Sequence, residues 1–443
     1  MFAERRHHFM DQMEQGVALF FAAPEKVRSN DTHYRYRQDS DFHYMTGFPE
    51  PGAAALLLPQ HPEHRFVLFV RPRDPERETW DGRRAGPAGA RTTYGADAAY
   101  TIDQLAEVLP RYLENAPSLY VSMGRYEDAD RIVKAAVDAV KGKIRQGIRA
   151  PRVFRDPAAI LNEMRLKKTA PELDIMRRAG AISSEAHRAA MQALRPGMNE
   201  YEIEAIIEYV FRKSGAAGPS YNTIVGAGVN ATILHYIENA STCRDGDLLL
   251  VDAGAELEGY SADITRTYPI NGRFSPAQRE VYEIVLGAQE RAIAEVRPGN
   301  TFDAVHNAAL RALVEGLVRI GLLRGDVDRL ITEETYKPYY MHRTSHWLGL
   351  DVHDVGDYRD GEAWRPLEPG MVLTVEPGLY FGEDRTEVPA PYRGMGIRIE
   401  DDVLVTASGR EVLTAATPKS VADLESLMNR PSAEPLPAAL NRT

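Results

Sequence analysis

The stretch Gly246-Asp247-Leu248-Leu249-Leu250-Val251-Asp252-Ala253-Gly254 has a counterpart later in the chain. Gly370-Met371-Val372-Leu373-Thr374-Val375-Glu376-Pro377-Gly378 aligns with it position for position, without a gap. Each is an apolar run of strand length that delivers one carboxylate just before a Gly turn. An unpaired charge in a buried strand is very costly. Two acids at equivalent positions therefore point to two half-domains converging on a cation, and a metal ion is the expected one.

The repetition extends to the flanking parts. Arg195-Pro196-Gly197 closes one predicted helix and precedes an amphipathic one over 200–213. Arg297-Pro298-Gly299 does the same before 302–320. Each helix pair leads to a His-containing segment, around His235 in the first half and His342 to His353 in the second. Each segment then reaches its Gly-to-Gly strand. Identity between the halves is low, but the order of parts is the same.

A different pattern precedes this. Strands are predicted at 17–21, 53–58, 66–70 and 119–122, alternating with helical periodicity at 102–113 and 128–140. Residues 150–156, with Pro151 and many charges, read as a connection. Thr169-Ala170-Pro171-Glu172 has the capping-box pattern with Pro in the first turn, opening a helix through Leu194. The predicted fold class is α/β (α+β), divided as 1–165, 166–430 and a Pro-rich, polar, disordered tail over 431–443.

Several function classes are excluded. The net charge of −11 argues against nucleic acid or anionic membrane as partner. The densest basic stretch, 131–155, reads as a solvated helix face and linker. No apolar run approaches the roughly 20 residues of a membrane span, and 16–23 reads as a strand rather than a signal peptide. Cys243 is the only cysteine, so no internal disulfide forms and a reducing, cytoplasmic setting is expected. It lies in a polar turn and reads as a turn residue rather than a nucleophile. Gly226-Ala227-Gly228-Val229-Asn230 is an incomplete dinucleotide fingerprint, and there is no Gly-x-Ser-x-Gly elbow. His342 and His346 have zinc-pair spacing, but no Glu follows the first, so the zinc-protease helix motif fails.

The remaining acids fall into the same frame. Glu258-Gly259 suits a two-residue hairpin turn, with 260–267 as the return strand. That register sets Asp252 opposite Thr265 and Asp263 diagonal to Asp252 on the same face. In the second half, 396–403 is predicted as a strand with Arg398, Glu400 and Asp402 on one face, making Glu400 the partner of Glu376. Between the halves lies His342-Arg343-Thr344-Ser345-His346-Trp347-Leu348-Gly349-Leu350-Asp351-Val352-His353-Asp354. Singly, each acid or histidine would most often be a cap, a surface residue or a satisfied half-buried side chain. Jointly they form an oxygen-rich site suited to two bridged divalent ions, Mn²⁺ or Co²⁺ with Zn²⁺ possible.

These residues resemble the creatinase/methionyl aminopeptidase superfamily, the pita-bread dinuclear metallopeptidases, and within it the Xaa-Pro aminopeptidase (aminopeptidase P) group of peptidase family M24. The resemblance runs from Tyr36-Arg37-Gln38-Asp39-Ser40-Asp41-Phe42 and Trp80-Asp81-Gly82-Arg83-Arg84 to Gly394-Met395-Gly396-Ile397-Arg398-Ile399-Glu400-Asp401-Asp402. Asp263-Ile264-Thr265-Arg266-Thr267 and 345–354 are specific to this group. It implies a creatinase-like N-terminal domain, a pseudo-symmetric pita-bread domain, and cleavage between an N-terminal residue and a penultimate proline. It implies Asp252, Asp263, His346, Glu376 and Glu400 as metal ligands, with Asp263 and Glu400 shared. Glu376, His353 and His342 are the implied proton-handling and oxyanion groups. His235, His342, His353, Tyr380, Arg398, Asp31 and Trp80 are the implied substrate contacts, Trp80 from a neighbouring subunit of a homodimer or homotetramer. Arg343-Thr344 departs from the family's small or apolar residues. The rival readings are an Xaa-Pro dipeptidase (prolidase), a non-catalytic binding protein on the same fold, and creatinase; the last two lack the metal acids present here.

Overall fold

The structure, a computed structural model, describes residues 1–430. The expected tail at 431–443 lies outside the described residues. The chain divides into two compact units, Met1–Met164 and a second beginning at Arg165. Among the described residues no helix is long and apolar enough to cross a membrane.

The first unit is a six-stranded mixed sheet in the spatial order Ala98–Thr101, Phe66–Val70, Ala54–Leu57, Val17–Phe21, Ser118–Tyr120, Val153–Arg155. The two outer pairings on the Ser118–Tyr120 side are parallel, as is that of Phe66–Val70 with Ala98–Thr101. Val133, Val137 and Val140 of helix Glu127–Lys141 and Val108 and Leu109 of helix Leu105–Leu113 pack in one core with the central strands. The segment expected as a connection at 150–156 contains the edge strand Val153–Arg155. Its three residues are all exposed, so it pairs through backbone alone and shows no apolar alternation.

The second unit carries the repeat as two helix pairs, Ala170–Ala193 with Glu200–Lys213 and Pro276–Glu295 with Phe302–Arg319. The Thr169/Glu172 capping box opens the first helix, with both reciprocal bonds made. The acid-bearing strands are Leu248–Asp252, paired antiparallel with Thr265–Pro269, and Val372–Val375, paired antiparallel with Asp401–Thr406. Asp252 faces Thr265 as the hairpin register requires, and Glu258 and Gly259 both take positive φ (51° and 88°) in the turn between Leu257 and Tyr260.

The predicted continuous strands are broken, and the breaks fall at the acids. Thr265–Pro269 is separated from Tyr260–Ser261 by the segment containing Asp263. Met395–Arg398 is separated from Asp401–Thr406 by Ile399-Glu400. At the first corner Gly254 lies against the Ala262 carbonyl, where any Cβ would collide with backbone. Each corner lets one chain leave one sheet for another and frees its carboxylate from the pleat. Cys243 also differs from expectation. It lies not in the turn, which falls at Asp245-Gly246, but in an extended segment bonded to Gly197 and Met198; its thiol is fully buried in the main core, and burial pushes it up to about 12.

Candidate metal centre

The segment after His342 runs antiparallel beside the second acid-bearing strand. The Thr374 amide donates to the His346 carbonyl and the Glu376 amide to the Thr344 carbonyl. This sets His346 next to Glu376, with Nε2 3.6 Å from Glu376 Oε1 and 3.4 Å from Asp263 Oδ2. His346 Nδ1 lies 2.9 Å from the Trp347 carbonyl, which can only accept, so Nε2 is the atom turned to the acids. Asp263, His346 and Glu400 each offer a ligand atom within 4.8 Å of the other two.

Asp252 and Asp263 are joined by Tyr221, whose hydroxyl is 2.6 Å from Asp252 Oδ1 and 2.5 Å from Asp263 Oδ1. Arg398 donates through Nη2 to Asp252 Oδ2 at 2.6 Å and through Nε to Thr265 Oγ1 at 3.0 Å. Thr265 in turn donates to Glu400 Oε2 at 2.6 Å. The Asp263 amide donates to Asp402 Oδ2. Asp252, Asp263, His346, Glu376 and Glu400 all line one cavity of about 520 Å³, as do His235, His342, His353 and Arg398.

Electrostatics explain why such a cluster wants cations. Burial, then the neighbouring carboxylates, raises Asp263 and lifts Glu400 and Asp402 well above the carboxylate range. Burial brings Glu376 to about 7 despite His346 and Arg398. Burial opposes charge on His346, yet Asp263 and Glu376 push it up to about 9. One oxygen of buried Asp402 has no partner among the described residues. Hard oxygen donors with one imidazole, short of positive charge, fit divalent metal ions.

The other predicted residues divide. His342 has both nitrogens engaged: Nδ1 donates to the Arg343 carbonyl at 2.8 Å, so Nε2 accepts from the Tyr380 hydroxyl at 2.9 Å. Burial, then Arg398, lowers it to about 3, so it is neutral. Tyr380 also accepts from Arg398 Nη1 at 3.2 Å, which makes a chain from Asp252 through Arg398 and Tyr380 to His342. The His353 ring meets that of His346 edge-on at 4.4 Å. The loop behind His353 is anchored by Asp354, which accepts from Arg165 Nη2 at 2.5 Å and Lys168 Nζ at 3.0 Å. His235 is exposed at the cavity wall. Asp31 and Trp80 belong to the first unit, where both are exposed, Trp80 to 86%.

The departure at Arg343-Thr344 splits in two. Thr344 is fully buried, its hydroxyl 2.8 Å from His306 Nδ1 and 2.6 Å from the Tyr340 hydroxyl. Arg343 turns outward to Asp303 at 2.6 Å. Tyr221, Thr265 and Arg266 carry structural roles that the sequence reading did not assign. Tyr221 sits far from the acids in sequence, and no spacing signals it. Glu200 explains the failed nucleotide fingerprint: its carboxylate accepts from the Ala227 amide and Asn230 Nδ2, so an acid occupies the place of a phosphate.

Paired carboxylates and one imidazole converging on one cavity define a metal-dependent hydrolase on a duplicated fold. The chain belongs to metallopeptidase family M24, which it matches over residues 174–407, and residues 2–120 match the aminopeptidase P N-terminal domain. It is 48% identical to the Xaa-Pro aminopeptidase of Escherichia coli K12, over 96% of this chain and 97% of that protein. It is 34% identical to human Xaa-Pro dipeptidase, over 90% of this chain and 85% of that one. Among solved structures, Pseudomonas aeruginosa aminopeptidase PepP superposes with a TM-score of 0.95 at 50% identity, covering 96% of this chain and 97% of that one.

Proposed function

We propose that this protein is an Xaa-Pro aminopeptidase, which removes an N-terminal residue from peptides with proline in second position. The observation that carries the reading is the convergence of Asp252, Asp263, His346, Glu376 and Glu400 on one cavity, in a chain matching such enzymes over nearly its full length. These five would hold two divalent ions, Mn²⁺ first and Co²⁺ or Zn²⁺ as substitutes, with Asp263 and Glu400 shared. When bound, the ions would acidify a water and polarise the scissile carbonyl.

Glu376, beside His346 in the cavity wall, is placed to accept a proton from the attacking water. The scissile nitrogen belongs to proline and carries no hydrogen; as the C–N bond breaks it takes the proton that Glu376 accepted from the water, and leaves as the secondary amine of the new N-terminus. His342, held by Tyr380, is the wall beside that nitrogen. His353 is the imidazole placed to meet the oxyanion of the tetrahedral intermediate. Arg398 and Tyr380 fix Asp252 and His342, and His235 contacts the substrate from the rim. Exposed Trp80, with Asp31, is assigned to the substrate pocket of a neighbour in a homodimer or homotetramer. A cytoplasmic setting follows from the single buried thiol and the absence of disulfides.

The test is release of the first residue from Ala-Pro-Ala and from Ala-Pro, with chelator and after adding back Mn²⁺, Co²⁺ or Zn²⁺. Cleavage of the tripeptide, lost on chelation and restored by metal, is expected. Cleavage of Ala-Pro alone would make the protein a dipeptidase, and full activity after metal stripping would reject the metal centre.

A further inference from the structure

A second cavity of about 550 Å³ adjoins the first, and Arg343 and Ser345 belong to the walls of both. Its other walls include Phe302, Tyr358, Arg359 and Trp364. Two guanidinium groups lie against the Trp364 ring, Arg343 at 4.7 Å and Arg359 at 4.1 Å from its centroid. Phe302 stacks against the same ring at 6.4 Å. Asp357 is the one carboxylate in that wall, and Asp303 pairs with Arg343 from outside it.

Arg343 is held but not used up. Its Nη2 donates to Asp303 at 2.6 Å, while Nε and Nη1 meet no protein acceptor among the described residues. The side chain is 48% exposed. A guanidinium fixed by an ion pair and an aromatic face presents its remaining donors with little further loss of freedom. None of this braces the acids of the first cavity. Arg343 directly follows His342, the residue assigned above to the proline nitrogen, and this inference rests on that reading. Because Arg343 lines both cavities, a peptide that extends from the first cavity into the second passes its guanidinium.

We infer that the second cavity receives the residue following the penultimate proline, and that Arg343 on its Trp364 platform selects there for a carboxylate side chain, Asp or Glu. A carboxylate matches the guanidinium fork, whereas an ammonium meets two like charges.

The test compares Ala-Pro-Asp, Ala-Pro-Lys and Ala-Pro-Ala, all C-terminally amidated, on the metal-loaded full chain. Amidation removes the terminal carboxylate, and free-acid Ala-Pro-Ala run alongside shows whether that group competes for Arg343. The expected kcat/KM ratio of the Asp to the Lys peptide is about ten, carried chiefly by KM. Arg343→Gln should bring the ratio to about one and Arg343→Lys should retain part of it. Trp364→Ala, which leaves the Arg343–Asp303 pair in place, should raise KM for the Asp peptide. A ratio near one in the unaltered protein, or a ratio undiminished in Arg343→Gln, overturns the inference while leaving the proline specificity intact. Failure to cleave any of the four peptides overturns both.

Discussion

In the first half of the second unit, the acid-bearing strand and its return are joined by Glu258-Gly259; in the second half, residues 382–394 intervene between Phe381 and Met395. The tight hairpin fixes Asp252 and Asp263 relative to one another, with Tyr221 between them. Glu376 and Glu400 have no such hairpin: Glu376 is held within its own half by Thr344 and Thr374, and Glu400 takes its bracing from the first half. Thr265 donates its hydroxyl to Glu400 and accepts the Glu400 amide. Arg266, fully buried, donates to the carbonyls of Thr265, Glu400, Thr417 and Pro418 and to Asp401. The debt runs the other way through Arg398, which reaches back to Asp252. These braces are where the duplication fails. Arg398 stands two residues before Glu400, where Ser261 stands two before Asp263; Arg266 stands three after Asp263, where Val403 stands three after Glu400. The repeat thus supplies two equivalent acids per half, and unrepeated residues lock the halves into one site.

The largest expected effect tests whether the halves are equal partners at the centre. Asp263→Asn and Glu400→Gln should each lower kcat by about three powers of ten or more, because in the proposed centre each replaces a shared donor with a poor one. Both variants should keep the far-ultraviolet circular dichroism of the parent, since the core does not depend on the site. Near-normal turnover in either variant would show that its half merely lines the cavity.

The next effect concerns the brace itself. Arg266→Met removes a fully buried guanidinium and leaves Asp401 with only Lys419 and Gln289 as side-chain donors of opposite or neutral charge besides Thr414. Breaking a buried pair from one side costs about 3–5 kcal/mol. For a unit of this size that lowers Tm by about 6 to 20 °C. Arg398→Met should act mainly on activity instead, since its partners line the cavity. A thermal melt of Arg266→Met within about 2 °C of the parent would show that the halves are held by packing alone.

What could be read from the sequence follows from what is local. The Gly-to-Gly repeat, the helix pairs and the capping box at Thr169 are short-range patterns, and each has its counterpart in the fold. The kinks at Asp263 and Glu400 were not legible, because an apolar alternation continues through both while the backbone changes sheet. Arg266 was visible only as part of a motif. Its role needs Asp401, Thr417 and Pro418, each more than a hundred residues away. The resemblance implied His342 as a substrate contact and a proton-handling or oxyanion group; that Tyr380, 38 residues away, and the Arg343 carbonyl engage both its nitrogens is carried by no local pattern. The edge strand Val153–Arg155 escaped because an exposed strand pairs by backbone, which leaves no side-chain trace.

A smaller effect compares the two buried histidines, one beneath each half. His187 donates from Nε2 to the Ala253 carbonyl, next to Asp252, and His306 bonds Thr344, two residues from His346. Burial brings both to about 4, so both are neutral in the fold at working pH. In the unfolded chain each ring takes a proton below about 6.5. Between pH 6.5 and 4 the unfolded state therefore holds more protons, and stability falls as pH falls. From pH 7 to 5 each histidine should account for about 2 kcal/mol of that loss. His187→Gln and His306→Gln should each flatten the stability profile of the metal-loaded protein by that amount, read by denaturant melts at the two pH values. An unchanged slope in one variant and a flattened slope in the other would mean that only one half is undermined by acid.

The smallest effect returns to the turn that distinguishes the halves. Glu258 occupies the first central position of the hairpin at φ 51°, a region where a side chain with a full Cβ is strained. Its compensation is an exposed ion pair with Arg178 at 2.9 Å, a kind of contact worth little in water. Asn tolerates that conformation far better, and Asn-Gly is the preferred pair for such a turn. Glu258→Asn should therefore stabilise the protein by about 0.5 kcal/mol, raising Tm by about 1 to 2 °C without altering kcat/KM on Ala-Pro-Ala. If the variant instead melts lower, the Arg178 pair and not the backbone conformation fixes the hairpin. The rigidity of the first half would then come from its contact with helix Ala170–Ala193 rather than from the turn.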